Sequence, residues 1–324
     1  MTALPVAVVG LGWWGRIICS LLAQSGKLRV VRKVDPFVEE EGISGHLDDA
    51  LRDPDVRGVI LCTPHSQHCE QVVRAAQAGK HVFCEKPLSL SRNDALRAVR
   101  ACNESGVVLA VGHEKRFEPP IQEVFRLAQR GELGTLLQIE ANFSQDKFLS
   151  LPPGNWRTSG KEAPAGPMTA TGIHLLDLAV GMLGPAARVF ASVKQLGSNL
   201  TNGDTLGILV HFKSGANALL SAILATPFDG RFAVYGNQGW VEVRDKAHPE
   251  APEGWTLTLV RRGGRPESRS YPPARAVLAN LEAFADAAAG NAPYLVPQEQ
   301  MIANVSALEA VFRSAASGKV EEVV

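Results

Sequence analysis

From residue 6 to residue 111, short apolar runs rich in β-branched side chains alternate with longer stretches in which apolar positions return every three or four residues. The runs predict strands buried on both faces, and the stretches predict amphipathic helices packed against them. Strands are expected over residues 6–9, 28–34, 58–61, 81–84 and 107–111. Trp14, Ile17, Ile18, Leu21 and Leu22 form the apolar stripe of a first helix that stops at Gly26, a residue suited to the position just past a helix end. A second helix is expected over residues 68–79. A third begins at Ser91, whose spacing to Asp94 resembles a capping box, and ends near Gly106. This alternation predicts an α/β fold with a doubly wound parallel sheet.

After Glu118-Pro-Pro the pattern changes. Strand-like runs over residues 135–144, 189–194, 204–212, 216–225, 231–235 and 240–243 follow one another with few helices between, and Lys213-Ser214-Gly215 makes a short hairpin connection. A second, open and mostly antiparallel sheet is expected. One helix interrupts it, at residues 171–183, and two close the chain, at 274–289 and 298–316. Arg261-Arg-Gly-Gly-Arg reads as a solvated loop. The domain boundary is placed near Glu118, giving domains 1–118 and 119–324.

Composition narrows the function. A chain of 324 residues suits two domains of ordinary size. Lys and Arg total 33, as do Asp and Glu, so the formal charge is zero. No bulk field favours a nucleic-acid backbone or an anionic membrane. No apolar run approaches the roughly 20 residues that span a bilayer. The five cysteines, Cys19, Cys62, Cys69, Cys84 and Cys102, lie in the first third without a CxxC pair, which argues against a disulfide scaffold. Met1-Thr-Ala-Leu-Pro leads directly into the first strand with no basic or cleavable leader pattern, and a reduced, cytoplasmic setting is the expectation.

The first turn carries specific chemistry. Gly10-Leu-Gly12-Trp-Trp-Gly15 follows the first strand and opens the first helix, and Asp35 ends the second strand. That acid lies about 20 residues past the last glycine, the spacing of a dinucleotide fingerprint. The glycines allow a tight turn and close backbone approach, the helix N-terminus faces a pyrophosphate, and the carboxylate accepts from ribose hydroxyls. Asp35 would repel a 2′-phosphate and so favours NAD over NADP, while Arg32 and Lys33 nearby could offset that preference.

Other polar segments fall at the carboxyl ends of later strands. Thr63-Pro64-His65-Ser66-Gln67-His68 follows the third expected strand, Glu85-Lys86-Pro87 the fourth and Gly112-His113 the fifth. That edge is where an open parallel sheet binds ligands. Pro87 biases Lys86 toward extended backbone, so its amine can serve as a general base beside a nicotinamide; the alternative is a surface pair with Glu85.

These residues, with Arg116-Phe117, Trp156-Arg157 and Gly172-Ile-His174-Leu-Leu-Asp177, occur in an order that resembles the Gfo/Idh/MocA family, which includes glucose-fructose oxidoreductase, inositol 2-dehydrogenase and dihydrodiol dehydrogenases. The resemblance covers nearly the whole chain. It implies an N-terminal Rossmann domain and a C-terminal α/β domain with an open antiparallel sheet that often forms an oligomer interface. It also implies hydride transfer between NAD(P) and a secondary alcohol. Lys86 inherits contact with substrate and nicotinamide, and the matching bond to Pro87 is often cis. His174 inherits a substrate-orienting or proton-transfer role, and Asp177 one of fixing its helix. Cys62, Thr63, Pro64, His68 and Glu85 would line the nicotinamide half of the site.

Two departures stand out. Many alcohol-oxidising relatives carry an aspartate four residues before the histidine, where this chain has Ala170 between Thr169 and Thr171. Lys86 and His174 then suffice, with a threonine hydroxyl positioning substrate, or the chemistry differs. The stretch from Asp35 to His46 also leaves little room for a helix, so the adenine pocket would be unusually open.

Remaining candidates are weaker. His65 and His68 have metal-like spacing without carboxylates or cysteines to complete a site, so no metal is expected. Cys62 and Cys84 read as core thiols. Trp13 and Trp14 are placed at the cofactor, with Trp14 on the core face of its helix and Trp13 partly exposed. His113, Glu114, Lys115 and Arg116 form a charged cluster in which Arg116 either binds an anionic substrate group or makes a structural ion pair between domains. Trp156 and Arg157 form a lid or pocket wall, or Trp156 only anchors its loop.

The expectation is an NAD(P)-dependent oxidoreductase acting on a hydroxyl or carbonyl of a small polar molecule such as a sugar, cyclitol or cyclic diol, and assembling as a homo-oligomer. A catalytically silent dinucleotide sensor or scaffold is the alternative that Ala170 raises. A third possibility is an enzyme whose cofactor stays bound while it oxidises one substrate and reduces another.

Overall fold

The computed structural model describes residues 3–324, which divide into two compact units. The first takes in the chain to His113 together with Val277–Val305, and the second comprises Glu114–Ala276 and Ser306–Val324. The expected boundary at 118 thus lies a few residues late, and it misses the return of a C-terminal segment to the first unit. Apolar positions Leu281, Phe284 and Ala285 pack into the same cluster as Val6, Val8, Ile18 and Phe83, and this packing brings the segment back.

In the first unit the order is β1 (Leu4–Val9), α1 (Trp13–Leu22), β2 (Leu28–Val34), β3 (Ile43–Ser44), α2 (Leu47–Arg52), β4 (Gly58–Leu61), α3 (His68–Gln77), β5 (His81–Cys84), α4 (Arg92–Glu104) and β6 (Leu109–Val111). The six strands are parallel in the order β3-β2-β1-β4-β5-β6. The chain therefore reverses direction across the sheet between β1 and β4, the switch point at which such sheets open a crevice. β4 is buried at every position because helices cover both faces. Ser91 caps α4 by accepting from Asp94 N–H at 3.2 Å, as its spacing predicts. Residues 35–42 form no helix, and the short α2 arrives only at Leu47. That helix and two-residue β3 carry too few periodic positions to be read from the chain.

The second unit holds α5 (Pro119–Gln129), β7 (Leu136–Ser144), α6 (Ile173–Leu183), β8 (Ala186–Lys194), β9 (Thr205–Phe212), β10 (Asn217–Ile223), β11 (Asp229–Gly236), β12 (Gly239–Asp245), β13 (Trp255–Arg261) and β14 (Glu267–Tyr271). α7 (Ala276–Ala288) and the first part of α8 (Gln298–Ser317) belong mostly to the first unit, and β15 (Glu321–Glu322) returns to the second sheet. The nine strands run β14-β13-β12-β11-β7-β10-β9-β8-β15 and are antiparallel except for the β7–β10 pair, which is parallel. Glu118-Pro-Pro, read as a break, instead opens α5: proline is tolerated in the first turn of a helix, where its missing N–H has no partner to lose. β13 and β14 were not expected. The Arg261-Arg-Gly-Gly-Arg loop is the turn that joins them.

Along β8, β9 and β10, Phe190 stands opposite Leu209, and Leu209 opposite Leu219, on a face where Phe190 and Leu219 remain exposed. The other face is covered by α6, whose residues from Ile173 to Val180 are all buried. Among the described residues no helix is long and apolar enough to cross a membrane.

Candidate active site

The carboxyl edge of the parallel sheet brings together the first group of expected residues. Gly10 sits just past β1 with φ +90°, a conformation that disfavours side chains, and a Cβ there would stand 2.7 Å from the Cys62 carbonyl. Gly15 packs so closely on the Gly10 carbonyl that any side chain would collide with it. Gly12 is different: a Cβ on it would meet open space. It is the N-cap of α1, and that helix start has no side-chain cap and no acidic residue in its first turn. The first N–H groups of the helix and the positive end of its dipole lie at a position open to an anion. Trp14 packs against the core, whereas Trp13 is 44% exposed and meets Trp14 edge-on.

Asp35 is buried at the tip of β2. Its Oδ2 accepts Leu11 N–H at 2.7 Å and its Oδ1 accepts Phe37 N–H at 2.9 Å, which fixes the carboxylate beside the glycine turn. Each oxygen keeps a further lone pair for a ribose hydroxyl. Arg32 turns away and is held by Asp53, with Nε to Oδ2 at 2.8 Å. This pair also holds the Asp53 carboxyl below its usual range. These features fit the adenosine and pyrophosphate half of a dinucleotide.

The neighbouring loops are joined by His68. Its ring is wholly buried, with Nδ1 2.7 Å from the Pro87 carbonyl and Nε2 3.0 Å from the Thr63 carbonyl. Burial lowers its pKa, and a neutral imidazole donates from one nitrogen only, so one contact is a hydrogen bond and the other a close approach. His68 thus ties Thr63-Pro64 to the segment that presents Lys86. Thr63 donates to Gln71 at 2.6 Å. The Lys86–Pro87 peptide is cis, and the Lys86 N–H faces Oε2 of buried Glu85 at 3.2 Å. Lys86 itself is half-buried. His113 is buried after β6, its N–H donating to Val111 at 2.7 Å.

All five cysteines are free. Burial pushes Cys69 up to about 11 and Cys102 to about 12, and holds Cys84 well above its ordinary value, so these are core thiols and not nucleophiles. Among the described residues no group of three or more His, Cys, Asp or Glu could hold a metal ion.

In the second unit the expected residues lie on and around α6. His174 and Asp177 lie three apart on this helix and so share a face. The single helical turn Glu114–Phe117 lies against them. Arg116 Nε donates to Asp177 Oδ2 at 2.6 Å, and its Nη2 donates to Asp177 Oδ1 at 3.0 Å and to the Asp177 carbonyl at 2.7 Å. Both side chains are buried. Gly181 leaves the space the guanidinium fills, since a Cβ there would overlap it. The expected anion-binding role of Arg116 therefore gives way to an ion pair, formed inside the second unit and not between domains: its Nε and Nη2 donors are directed to Asp177 in a buried setting. His174 Nδ1 lies 3.4 Å from Glu114 Oε2, also in a buried setting.

Two further expectations are recast by the π-helical turn Met168–Gly172. Thr169 Oγ1 donates to the Gly166 carbonyl and Thr171 Oγ1 to the Pro167 carbonyl, each at 3.3 Å, so both hydroxyl protons serve the turn itself. Trp156 and Arg157 form a stacked pair, the guanidinium carbon 4.3 Å from the ring centroid, on a turn capped by Asn155.

One cluster escaped sequence reasoning. The Lys115 ammonium is buried between Glu118 Oε1 and Asp245 Oδ1, each at 3.2 Å, and Trp255 Nε1 donates to Asp245 at 3.0 Å. Phe143 stands below the ammonium at 4.8 Å and lies 6.0 Å from the His174 ring. Burial pushes the Glu118 carboxyl up to about 8, and the neighbouring carboxylates act in the same direction against Lys115. No local spacing announces a contact between residues 115 and 245.

Residues 4–113 match the model of an oxidoreductase family with an NAD-binding Rossmann fold, and residues 121–242 match that of the Gfo/Idh/MocA C-terminal domain. The uncharacterized oxidoreductase YrbE of Bacillus subtilis is 31% identical over 229 residues, 68% of this chain and 64% of YrbE. The match thus spans a little under two thirds of that relative. D-xylose 1-dehydrogenase (NADP(+)) 2 of Haloferax volcanii is 25% identical over 280 residues, 86% of this chain and 84% of that protein. Among solved structures, GenD2 from gentamicin A biosynthesis, in complex with NAD, superposes with a TM-score of 0.84 at 27% identity, covering 100% of this chain and 97% of that one.

Proposed function

Because the chain belongs to the Gfo/Idh/MocA family of oxidoreductases, we propose that it transfers hydride between a nicotinamide dinucleotide and the carbinol or carbonyl carbon of a small polar molecule, a sugar, cyclitol or cyclic diol. The observation that carries this reading is the convergence of the uncapped α1 start, Asp35 and Lys86 on one edge of one parallel sheet. When bound, the cofactor supplies the hydride acceptor or donor; the protein supplies orientation and a proton path.

In the oxidative direction the substrate C–H electron pair leaves as hydride and the hydroxyl proton leaves to a base on the protein. Lys86 is assigned as that base. It is half-buried at the sheet edge, and a neighbouring nicotinamide cation would disfavour its ammonium form. His174 is assigned to orient the hydroxyl and pass the proton on. NAD is preferred over NADP, because Asp35 would face a 2′-phosphate while Arg32 is held by Asp53. Self-association is assigned to the open face of the nine-stranded sheet, where the Phe190, Leu209 and Leu219 row lies.

The test is purified protein with NAD(H) or NADP(H) and a panel of polyols, aldoses and their carbonyl counterparts, followed by reduced-nicotinamide absorbance. Turnover on a member of the panel, faster with NAD(H), is the expected result. Tight dinucleotide binding with no turnover across the panel would overturn the enzyme reading in favour of a sensor.

A further inference from the structure

We propose that Glu114 is the positioning carboxylate for His174: its charge, facing Nδ1, keeps the proton on that nitrogen and so leaves Nε2 as the atom that exchanges a proton with substrate. The inference rests on the catalytic reading of His174 above, but the structural part stands on its own geometry.

Glu114 Oε2 lies 3.4 Å from His174 Nδ1, with the histidine side chain 4% and the glutamate side chain 11% exposed. A carboxylate this near a sheltered imidazole favours the tautomer with the proton on the facing nitrogen, because the other tautomer would set a lone pair against a negative charge. The contact is one of two that run in parallel. Glu114 and Arg116 come from the same helical turn, and they meet His174 and Asp177, which are three apart on α6. The bidentate Arg116–Asp177 pair holds the turn against the helix, and with it the glutamate against the imidazole. Phe143 lies beside the same ring, tilted by 46°, and limits its rotation. Of the other charged groups nearby, Lys115 sits on Phe143 and is already shared between Glu118 and Asp245. His248, also against Phe143, is held neutral by burial and takes a contact from Lys147 at 2.9 Å.

The surroundings of Ala170 point the same way. Its methyl packs on an apolar cluster of Phe148, Leu200 and Leu224. A carboxylate at that position would lie in hydrocarbon, where its ionised form is disfavoured. The negative partner of the imidazole has thus been supplied from the turn after β6, sixty residues away in sequence, and not from one turn earlier on the same helix.

The experiment is ¹⁵N NMR of the histidine ring nitrogens in the full chain at neutral pH, with His174→Gln identifying the His174 signals by their loss. The expected spectrum has Nδ1 protonated and Nε2 bare in the wild type. Glu114→Ala should move the ring to the Nε2-protonated form or a mixture, and Glu114→Asp should restore part of the original pattern. An Nε2-protonated ring in the wild type, or an unchanged ring in Glu114→Ala, would overturn the proposal. Because the wild-type spectrum alone decides the first point, a variant that fails to fold leaves the test standing. On an active substrate Glu114→Ala should lower kcat by about 10–100-fold with little change in KM. Absence of any wild-type turnover would count against the catalytic reading and leave the tautomer result to judge Glu114.

Discussion

At the carboxyl edge of the parallel sheet the site is built largely from backbone: the Gly10 turn, the first N–H groups of α1, and two loops tied together where their carbonyls meet the buried His68 ring. Around α6 the structure is built instead from side chains in buried pairs, Glu114 with His174, Arg116 with Asp177, and Lys115 with Glu118 and Asp245. The two constructions fail differently. A backbone site tolerates varied neighbours but no added Cβ at its points of close approach. A paired site tolerates small shifts of backbone but not the loss of one partner, since the other is then left charged and buried.

The largest effect expected from breaking either side of this contrast is chemical. Lys86→Ala should lower kcat by about 10²–10⁴-fold, the usual worth of a general base, while calorimetric affinity for the dinucleotide stays within a few-fold. Loss of affinity in step with kcat would show Lys86 to be a cofactor ligand only.

Next comes the buried pair. Arg116→Met should cost about 3–5 kcal/mol of folding stability in urea titration by stranding Asp177, and adding Asp177→Leu should recover most of it. Equal stabilities for the single and double variants would mean that Asp177 is not left charged.

The glycines sharpen the backbone side. Gly10→Ala should destabilise the fold by about 1–3 kcal/mol, because both its φ and the Cys62 carbonyl oppose a side chain. Gly12→Ala should leave stability within about 0.5 kcal/mol, since its Cβ meets open space, yet weaken dinucleotide binding by crowding the anion position. Asp35→Ser should cut the preference for NAD over NADP by about tenfold, equivalent to about 1.4 kcal/mol.

The last expected effect concerns pH. The folded-state pKa of Glu118 is raised by burial from 4.5 to about 8, so the folded protein binds this proton more tightly than the unfolded chain does. Its contribution to stability is complete below pH 4.5 and is lost as pH rises toward 8. The urea midpoint should decline across that window in the wild type and decline less in Glu118→Gln, where a neutral amide replaces the protonated acid. Identical slopes would show Glu118 to be ionised in the fold.

The same contrast explains what could be read from the chain. Strands β1, β2, β4 and β5 and helices α1, α3 and α4 were legible because each carries its own period and its own stop. The nucleotide edge was legible because close backbone approach leaves glycines at fixed spacing. α5 was missed because Pro119-Pro120 looks like a break and is equally at home in a first helical turn. β14 leaves no trace because it is polar and largely exposed along its length, whereas β13 carries an apolar alternation that does mark a strand. The parallel β7–β10 pair, the return of residues 277–305 to the first unit, and the pairs on α6 depend on contacts between residues far apart in sequence, for which neither period nor spacing leaves a trace. Only Gly181, one turn beyond Asp177, hints that a large side chain enters there.

The most direct test of the central claim is a label transfer: reduced dinucleotide carrying deuterium at the transferring C4 position, incubated with the carbonyl member of an active substrate pair, and the product analysed by mass spectrometry and NMR. The account predicts deuterium on the new carbinol carbon, one per turnover. Product free of deuterium at that carbon, with the label still on the cofactor or lost to water, would contradict it.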